Sequence, residues 1–235
     1  MSNWCMNTIL ISGPSEDVIV LYKSLKEYKD EIMSKGKESG KYPFNIGSWI
    51  KTKFSDKLPE FTEDDYKLSY RNFIEDYSYT EYADNKEDHF VIYTYSELDS
   101  RMYALVKLIE VGFPKCIINY ISEDPGMKYC INTDESGLYF PERWYYCNCY
   151  KSYYYMSMSD EDMYKTLIND YADIIKDNNI VAPALVNPGQ DQICKLVESL
   201  VEYDEDLYVC PFSIGPEYDD KKVEILKGIT GKAAE

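Results

Sequence analysis

The residue types best suited to catalysis are scarce in this chain of 235 residues. It contains one histidine, His89, which follows Asp88 at the start of a predicted strand. A single imidazole limits both triad and metal-binding schemes, and this position is more typical of a surface side chain. Cys147 and Cys149 lie two residues apart, and no second Cys or Cys/His pair has zinc-site spacing. The sequence therefore predicts no catalytic residue and no metal site.

Acidic clusters and a glycine- and lysine-rich segment are the remaining candidates for ligand chemistry. The clusters at 160–162 and 204–206 lack the spacing of a calcium-binding loop. Acidic residues are so numerous that their pairing does not indicate general acid–base catalysis. Residues 36–41 lack the spacing of a phosphate-binding loop and do not directly follow a strand. We therefore expect no cofactor and a protein that is not an enzyme, with an unrecognised catalytic site as an open alternative.

The net charge of −17 is concentrated in two segments. Residues 59–99 contain three Lys/Arg and twelve Asp/Glu, and residues 159–235 contain seven and seventeen. Residues 1–58 carry a charge of +2, and residues 100–158 are balanced. A strongly acidic surface repels nucleic acid and anionic membranes and attracts basic partners. We therefore predict a basic protein partner, and neither nucleic acid nor a membrane as a direct partner.

The sequence predicts a cytoplasmic protein. No apolar run approaches the ~20 residues needed to cross a bilayer, and the N-terminus lacks the basic and apolar segments of a secretion signal. The seven cysteines are an odd number and lie mostly in apolar stretches, which is typical of reduced, buried thiols.

Tyrosine is unusually frequent, with 25 residues. Seven of them lie between Tyr66 and Asp99, among acidic residues. Tyrosine beside carboxylate is typical of protein interfaces, because the ring buries a large area at a low cost in entropy. The same composition also fits a plain solvated surface, so both interpretations stay open for this segment.

Hydrophobic periodicity predicts alternating strands and helices along the chain. Alternation over residues 2–13 predicts a first strand that leads directly into a helix. A capping pattern at 62–65 predicts a second helix that extends to Tyr77. Residues 89–95 are β-branched and aromatic and predict a strand. The remaining predicted elements are a helix after residue 100, strands at 116–121, 127–131, 137–140, 144–156 and 207–214, and helices after residues 159, 190 and 221.

These elements define a predicted core of ten residues on the inward faces of strands and helices. They are Ile9, Ile11, Leu21, Leu25, Val91, Tyr93, Leu105, Ile109, Ile117 and Tyr120. If one sheet and its helices enclose them, each large-to-alanine change at an aliphatic position should cost ~2–5 kcal/mol.

The N-terminal strand also carries a family resemblance. Its Asn-Trp-Cys-x-Asn motif at 3–7 resembles the opening strand of the YubB-type ferredoxin-like family of phage and plasmid proteins. A strand–helix–strand unit over 90–120 is similar to the second half of that family. The family's Trp-Ser-Pro-Pro motif is replaced here by Ser-Glu-Leu-Asp at 96–99. The resemblance implies a βαββαβ core and a mobile-element origin, but no reaction.

We therefore predict an α+β protein with a ferredoxin-like βαββαβ core and an added C-terminal α/β extension. The core domain would span residues 1–158 and contain a helical insertion at 34–88. Residues 159–235 would form an acidic helical extension packed on the core. A chain of two domains with a boundary near Met158 is the alternative.

The predicted function is that of an acidic, non-enzymatic protein–protein interaction module of mobile-element origin. Carboxylates spaced along helix faces can replace phosphates, so the module would occupy the basic nucleic-acid-binding surface of a host defence protein and inhibit it in the host cytoplasm. The predicted partner-binding residues are Asp64, Asp65, Glu75, Asp76, Tyr77, Tyr79, Tyr82, Asp170, Asp173 and Asp177. A module that binds a small ligand or nucleotide on an open sheet face, with the loop at 34–59, is the alternative. The sequence does not indicate an oligomeric state.

Overall fold

The chain folds into two units, and each of them contains both helices and strands. A computed structural model describes residues 4–34, 44–80, 87–97, 102–124, 129–148, 155–180, 188–204 and 207–215. The first unit ends at Tyr129, and the second runs from Cys130 to Gly215. The fold class is α+β, which confirms that part of the prediction. The division falls before residue 158, where the predicted core domain ends, and the acidic extension at 159–235 stays a prediction.

The first unit contains four strands and four α-helices among its described residues. In chain order they are β1 (Trp4–Gly13), α1 (Ser15–Ser34), α2 (Ile46–Phe54), α3 (Glu63–Lys67), β2 (Asn72–Thr80), β3 (Asp88–Glu97), α4 (Tyr103–Lys107) and β4 (Ile117–Asp124). A 3-10 turn at Ser55–Lys57 follows α2, and a π-helical turn at Leu108–Gly112 follows α4. Helices therefore connect β1 to β2 and β3 to β4, whereas β3 is the next described element after β2.

The four strands pair in the order β2-β3-β1-β4, and all three pairs are antiparallel. β1 lies between β3 and β4 and pairs with both. β2 lies next to β3 and contains a bulge at Glu75, between the paired residues Ile74 and Asp76. Directly paired residues share one face of a sheet. The register therefore defines an inner face, where Tyr22 of α1 contacts Phe90 of β3, and an outer face.

The predicted core is correct at seven of its ten positions. The buried residues are Ile9, Ile11, Leu21, Leu25, Leu105, Ile109 and Tyr120. The prediction is wrong for Val91, which is half-buried, and for Tyr93 and Ile117, which are exposed on the outer face. In β3, Phe90 and Ile92 face inward instead. This strand is apolar at odd and even positions alike, so its hydrophobicity does not determine which set faces the core.

The helix predicted from residue 62 to Tyr77 is wrong beyond Lys67. α3 has only five residues, and the chain then turns into β2. Gly47 of α2 lies so close to this turn that a Cβ on Gly47 would be 2.4 Å from the carbonyl oxygen of Tyr66. The aromatic and β-branched residues that follow favour a strand, which pairs with β3. Residues 34–88 therefore contribute a strand to the sheet as well as helices.

The second unit contains five strands and three α-helices among its described residues. They are β5 (Tyr129–Asn132), β6 (Trp144–Asn148), β7 (Tyr155–Met158), α5 (Asp160–Asp170), α6 (Ala172–Asp177), α7 (Gln190–Val201), β8 (Leu207–Pro211) and β9 (Ser213–Ile214). β7, β6 and β8 form an antiparallel sheet in that order, and β5 pairs with β9 in parallel. The single strand predicted at 144–156 is therefore wrong, because β6 and β7 are two separate strands. The helix predicted after residue 221 lies outside the described residues.

The strand predicted at 137–140 is also wrong, because a carboxylate organises this segment as a loop. Asp134 accepts hydrogen bonds from the backbone N–H groups of Gly137, Tyr139 and Phe140, at 3.2, 2.7 and 3.0 Å. Burial acts to raise the pKa of Asp134, but these bonds and one from Ser136 outweigh it and lower the pKa. The side chain therefore satisfies backbone donors that a strand would have paired with a neighbouring strand.

Amphipathic helices enclose the core of the second unit, as their spacing predicts. α5 and α7 bury residues that are spaced three or four apart and pack with Trp144 and Tyr146 of β6. The buried helix residues are Met163, Leu167, Ile193, Leu196 and Leu200. The acidic residues of these helices lie outside this core.

Candidate functional site

Two acidic residues of α3, Asp64 and Asp65, differ in burial and in their hydrogen bonds. Asp65 is buried, and its Oδ2 accepts hydrogen bonds from the backbone N–H of Thr62 at 2.7 Å and from the Thr62 hydroxyl at 2.6 Å. Asp65 therefore caps the start of α3. Asp64 is exposed, and its Oδ1 lies 3.0 Å from the Nζ of Lys67. Of these two predicted partner-binding residues, only Asp64 is accessible.

Glu75 and Asp76 are exposed on β2. Asp76 pairs with Tyr93 and so lies on the outer face, and Glu75 occupies the bulge beside it. No Lys or Arg of the described residues lies within ion-pair distance of either carboxylate. Both carboxylates are therefore available to a partner.

Tyr77 and Tyr79 lie on the inner side of the sheet, against α1. Tyr22 stacks on Tyr79 with ring centroids 5.2 Å apart and meets Tyr77 edge-on at 5.9 Å. The Tyr79 hydroxyl donates a hydrogen bond to the buried Asp88. Burial raises the pKa of Tyr77. The two rings are therefore only partly accessible, and Tyr82 lies outside the described residues.

The carboxylates predicted in the second unit lie on α5 and α6. Asp170 is half-buried and accepts a hydrogen bond from the Tyr146 hydroxyl at 2.8 Å. Asp173 and Asp177 are exposed one turn apart on α6, and no Lys or Arg in the described part of the chain forms an ion pair with them. Like charges at this spacing repel each other, so the pair does not stabilise the helix.

Four of the ten predicted residues thus combine exposure with the absence of a cation partner among the described residues. They are Glu75, Asp76, Asp173 and Asp177, and we call them the exposed carboxylates. The first two are neighbours in the first unit, and the last two are neighbours in the second unit.

The outer face of the first unit's sheet is a further candidate, and the sequence analysis proposed an open sheet face without identifying its residues. Trp4, Met6 and Tyr93 are 41 %, 60 % and 42 % exposed on this face. Trp4 lies edge-on to Tyr95 with ring centroids 5.3 Å apart, and Phe73 packs on Tyr95 at 5.5 Å. Contiguous exposed apolar side chains mark interaction sites. The apolar residues are visible in the sequence, but the sequence does not show which of them face outward.

A groove of about 580 Å³ lies in the first unit, between the segment before α3 and helix α4. Phe61 and Tyr103 stack in its wall, with ring centroids 5.8 Å apart. Lys107 also lines this groove, and its Nζ lies 2.7 Å from the Oε2 of Glu110.

Across the described ranges, no group of three or more His, Cys, Asp or Glu is arranged to hold a metal ion.

Comparisons with known proteins do not assign the chain to a family. No protein-family model matches it, and neither a curated protein nor a solved structure is significantly similar to it. The resemblance to the YubB-type family stays a prediction. None of the helices in the described part of the chain is long and apolar enough to cross a membrane.

Proposed function

We propose that the protein is a non-enzymatic interaction module whose exposed carboxylates bind the basic, nucleic-acid-binding surface of another protein. The observation that carries this proposal is a contrast among its acidic side chains. Asp65 and Asp170 accept hydrogen bonds within the fold, whereas the exposed carboxylates have no cation partner among the described residues. Adjacent like charges that do not stabilise the fold are available to attract a cationic surface.

Carboxylates can take the place of phosphates, because Arg and Lys bind both through charge-assisted hydrogen bonds. Asp173 and Asp177 lie four residues apart on α6, which separates them by about 6 Å along the helix axis. A basic groove that binds them can no longer bind nucleic acid. Inhibition of a host defence protein in the host cytoplasm, by a protein of mobile-element origin, belongs to this proposal.

The proposal includes a ferredoxin-like βαββαβ core in the first unit. The order of elements supports it, since helices connect β1 to β2 and β3 to β4. The antiparallel strand order β2-β3-β1-β4 supports it as well. Such an arrangement packs helices on one face of the sheet and leaves the other face for binding.

Charge reversal combined with competition tests the proposed function. The full chain captures basic proteins from a nuclease-treated host extract, and a captured protein is purified. Its affinity is then measured for the wild type and for a variant in which all four exposed carboxylates are changed to lysine. We expect at least a tenfold loss of affinity in the variant, and displacement of the wild type by duplex DNA or RNA.

A control variant with the same change in net charge separates a specific surface from overall acidity. It reverses four exposed acidic residues at other positions, namely Glu60, Asp191, Glu198 and Glu202. We expect this control to retain its affinity within about threefold, with an unchanged melting temperature in both variants. Equal losses in the two variants, or no loss in either, would contradict the proposal.

A nucleotide- or small-ligand-binding module on the outer sheet face is the second candidate. The exposed rings of Trp4 and Tyr93 favour it, because a base can stack on such rings. The described outer-face positions carry no Lys or Arg that would hold a phosphate. Saturable, micromolar binding of a nucleotide to the full chain, abolished by Tyr93→Ala, would favour this candidate over the first.

A further inference from the structure

Aromatic rings and carboxylates occur together on the outer face of the first unit's sheet. Two adjacent rows of paired residues show this composition. From β2 to β4 they read Phe73, Tyr95, Met6 and Glu123 in one row, and Asp76, Tyr93, Thr8 and Ile121 in the next. Because paired residues point to the same side of the sheet, Asp76 lies directly beside the exposed ring of Tyr93.

The charged side chains on this face are negative. The outer-face positions that the register defines in the described strands include Asp76 and Glu123 but no Lys or Arg. A surface with carboxylates and without cations attracts a positively charged group and repels a phosphate. The exposed aromatic rings add attraction for the same group, since a cation is stabilised over the face of a ring. The two features therefore select the same kind of ligand.

We propose that the outer face binds an arginine-bearing segment of a partner protein, with a guanidinium group stacked on Tyr93 and held by Asp76. Arginine fits this pair better than lysine, because its planar group stacks on a ring and forms two parallel hydrogen bonds with a carboxylate. The inference rests on the proposed function in that both require a basic partner. It goes further by naming the side chain that is recognised and the aromatic surface that recognises it.

The dimensions of the surface suit a short extended segment. Strands lie ~4.8 Å apart, so the row that ends at Glu123 extends over about 14 Å from β2 to β4, whereas Ile121 at the end of the other row is buried. About four residues of extended chain cover that distance. Trp4 lies beside the first row and contacts Phe73 and Tyr95 of that row, and these rings give an apolar residue of the segment a place to pack.

Trp4 provides a direct readout of occupancy. The chain contains three tryptophans, and Trp49 and Trp144 are buried while Trp4 is exposed on the outer face. A ligand on this face therefore changes the emission of Trp4 and reduces its quenching by acrylamide. Emission from the two buried tryptophans stays constant as long as the fold is intact.

The test titrates the full chain with a capped peptide of four Arg-Gly repeats and follows tryptophan emission and heat release. We expect saturable binding that is at least tenfold weaker in Tyr93→Ala and restored in Tyr93→Phe, which keeps the ring. Asp76→Asn, which keeps the shape and removes the charge, should weaken binding at least threefold. Tyr203→Ala is the matched control, because Tyr203 is 48 % exposed in the second unit, and its affinity should equal that of the wild type.

Three results would overturn the inference. One is that a Glu-Gly peptide or an oligonucleotide of eight thymidines binds as tightly as the Arg-Gly peptide. Another is an unchanged affinity in Tyr93→Ala when its melting temperature equals that of the wild type. The third is self-association of the peptide-free chain that Tyr93→Ala abolishes, which would identify a second copy as the occupant.

A second-unit variant separates this inference from the proposed function. Asp173→Lys combined with Asp177→Lys tests the carboxylates of α6 and leaves the outer face unaltered. We expect this variant to bind the Arg-Gly peptide within twofold of the wild type. Suppose that the variant binds both the peptide and the captured basic protein with the affinity of the wild type. The carboxylates of α6 would then not contribute to the proposed mimicry, whereas the outer-face inference would be upheld. A tenfold loss of peptide affinity in this variant would overturn the outer-face inference.

Discussion

The two faces of the first unit's sheet differ in an unusual way near the start of β1. Polar side chains are buried on the inner face, and aromatic and apolar side chains are exposed to solvent on the outer face. Asn7, Thr94 and Ser122 are buried on the inner side. Met6 and Tyr93, each one residue away along the same strands, are exposed on the outer side. This distribution is the reverse of the usual one, in which a strand buries its apolar side chains and exposes its polar ones.

Hydrogen bonds account for the inner face. The Nδ2 of Asn7 donates to Thr94 Oγ1 at 3.0 Å, and its Oδ1 accepts from Ser122 Oγ at 2.7 Å. One side chain thus joins β1 to both of its neighbours and satisfies polar groups that would be costly to bury alone. The exposed ring of Tyr93 makes no such contact among the described residues, which is why we propose that the outer face binds a partner.

The largest expected difference in the free energy of unfolding is between alanine variants of an aliphatic residue on the inner face and one on the outer face. Ile9→Ala removes a fully buried side chain and should lower the free energy of unfolding by about 3–4 kcal/mol. Ile117→Ala, on the exposed outer face, should change it by about 0.5 kcal/mol or less. Urea unfolding followed by circular dichroism measures both values, and similar losses in the two variants would contradict the assignment of the faces.

The next effect concerns the buried hydrogen bonds. Asn7→Ala leaves the hydroxyls of Thr94 and Ser122 without this partner and should cost about 2–3 kcal/mol. Met6→Ala, its neighbour on the outer face, is the control and should be close to neutral. The same unfolding assay applies. A neutral Asn7→Ala would mean that the network contributes nothing to stability.

Alkylation of the buried thiol of Cys116 provides a chemical test of burial in the first unit. Burial, and then the charge of nearby acidic groups, raises the pKa of the Cys116 thiol from 9.0 to about 11. At pH 8 the reactive thiolate is therefore roughly a hundredfold rarer than in an unshifted thiol. Alkylation of Cys116 in the native chain, located by peptide mass analysis, should be slow at pH 8 and accelerate up to about pH 11.

The same shift has a consequence for stability. Because the unfolded chain loses the Cys116 proton at a lower pH than the folded chain does, this group stabilises the fold below pH 9 and ceases to do so as the pH rises towards 11. The urea-unfolded chain is the control and should react at the rate of an ordinary thiol. Equal alkylation rates for the native and unfolded chains at pH 8 would contradict the burial of Cys116.

The smallest effect is expected on the outer face itself. Tyr93→Ala should alter the free energy of unfolding by no more than about 0.5 kcal/mol, because the ring is exposed. It should nevertheless reduce the binding of a hydrophobic dye to the folded chain, which Tyr203→Ala should leave unchanged. A large loss of stability in Tyr93→Ala would show that the ring serves the fold.

The elements that the sequence predicts correctly are those with strong local signals. The alternation in β1 and the apolar spacing of α5 and α7 depend on residues close together in the chain. The capping pattern at 62–65 is real but serves a helix of only five residues, so the helix predicted up to Tyr77 is wrong beyond Lys67. The close approach of Gly47 to the turn that follows is a contact between distant residues, which no local pattern reveals.

The candidate site was predictable in its charge and not in its geometry. Sequence identifies the acidic segments and the capping pattern that includes Asp65, but not that Asp170 accepts a hydrogen bond from Tyr146, 24 residues earlier. The outer face depends on the phase of β3, which a strand that is apolar on both sides leaves undetermined. Both failures have one cause: the partners that use or bury a side chain lie far away in the sequence.

The central position of β1 also determines when the sheet can close during synthesis. Both strands that flank β1 leave the ribosome much later than β1 does, and Asn7 meets Ser122 across a separation of 115 residues. Contacts between such distant residues slow folding, because a long loop must be ordered before any of them forms. Until β3 has been made, both edges of β1 in the nascent chain are unpaired, and one edge stays unpaired until β4 follows; such edges promote aggregation. The central strand of this sheet is thus the one that depends longest on protection from mispairing.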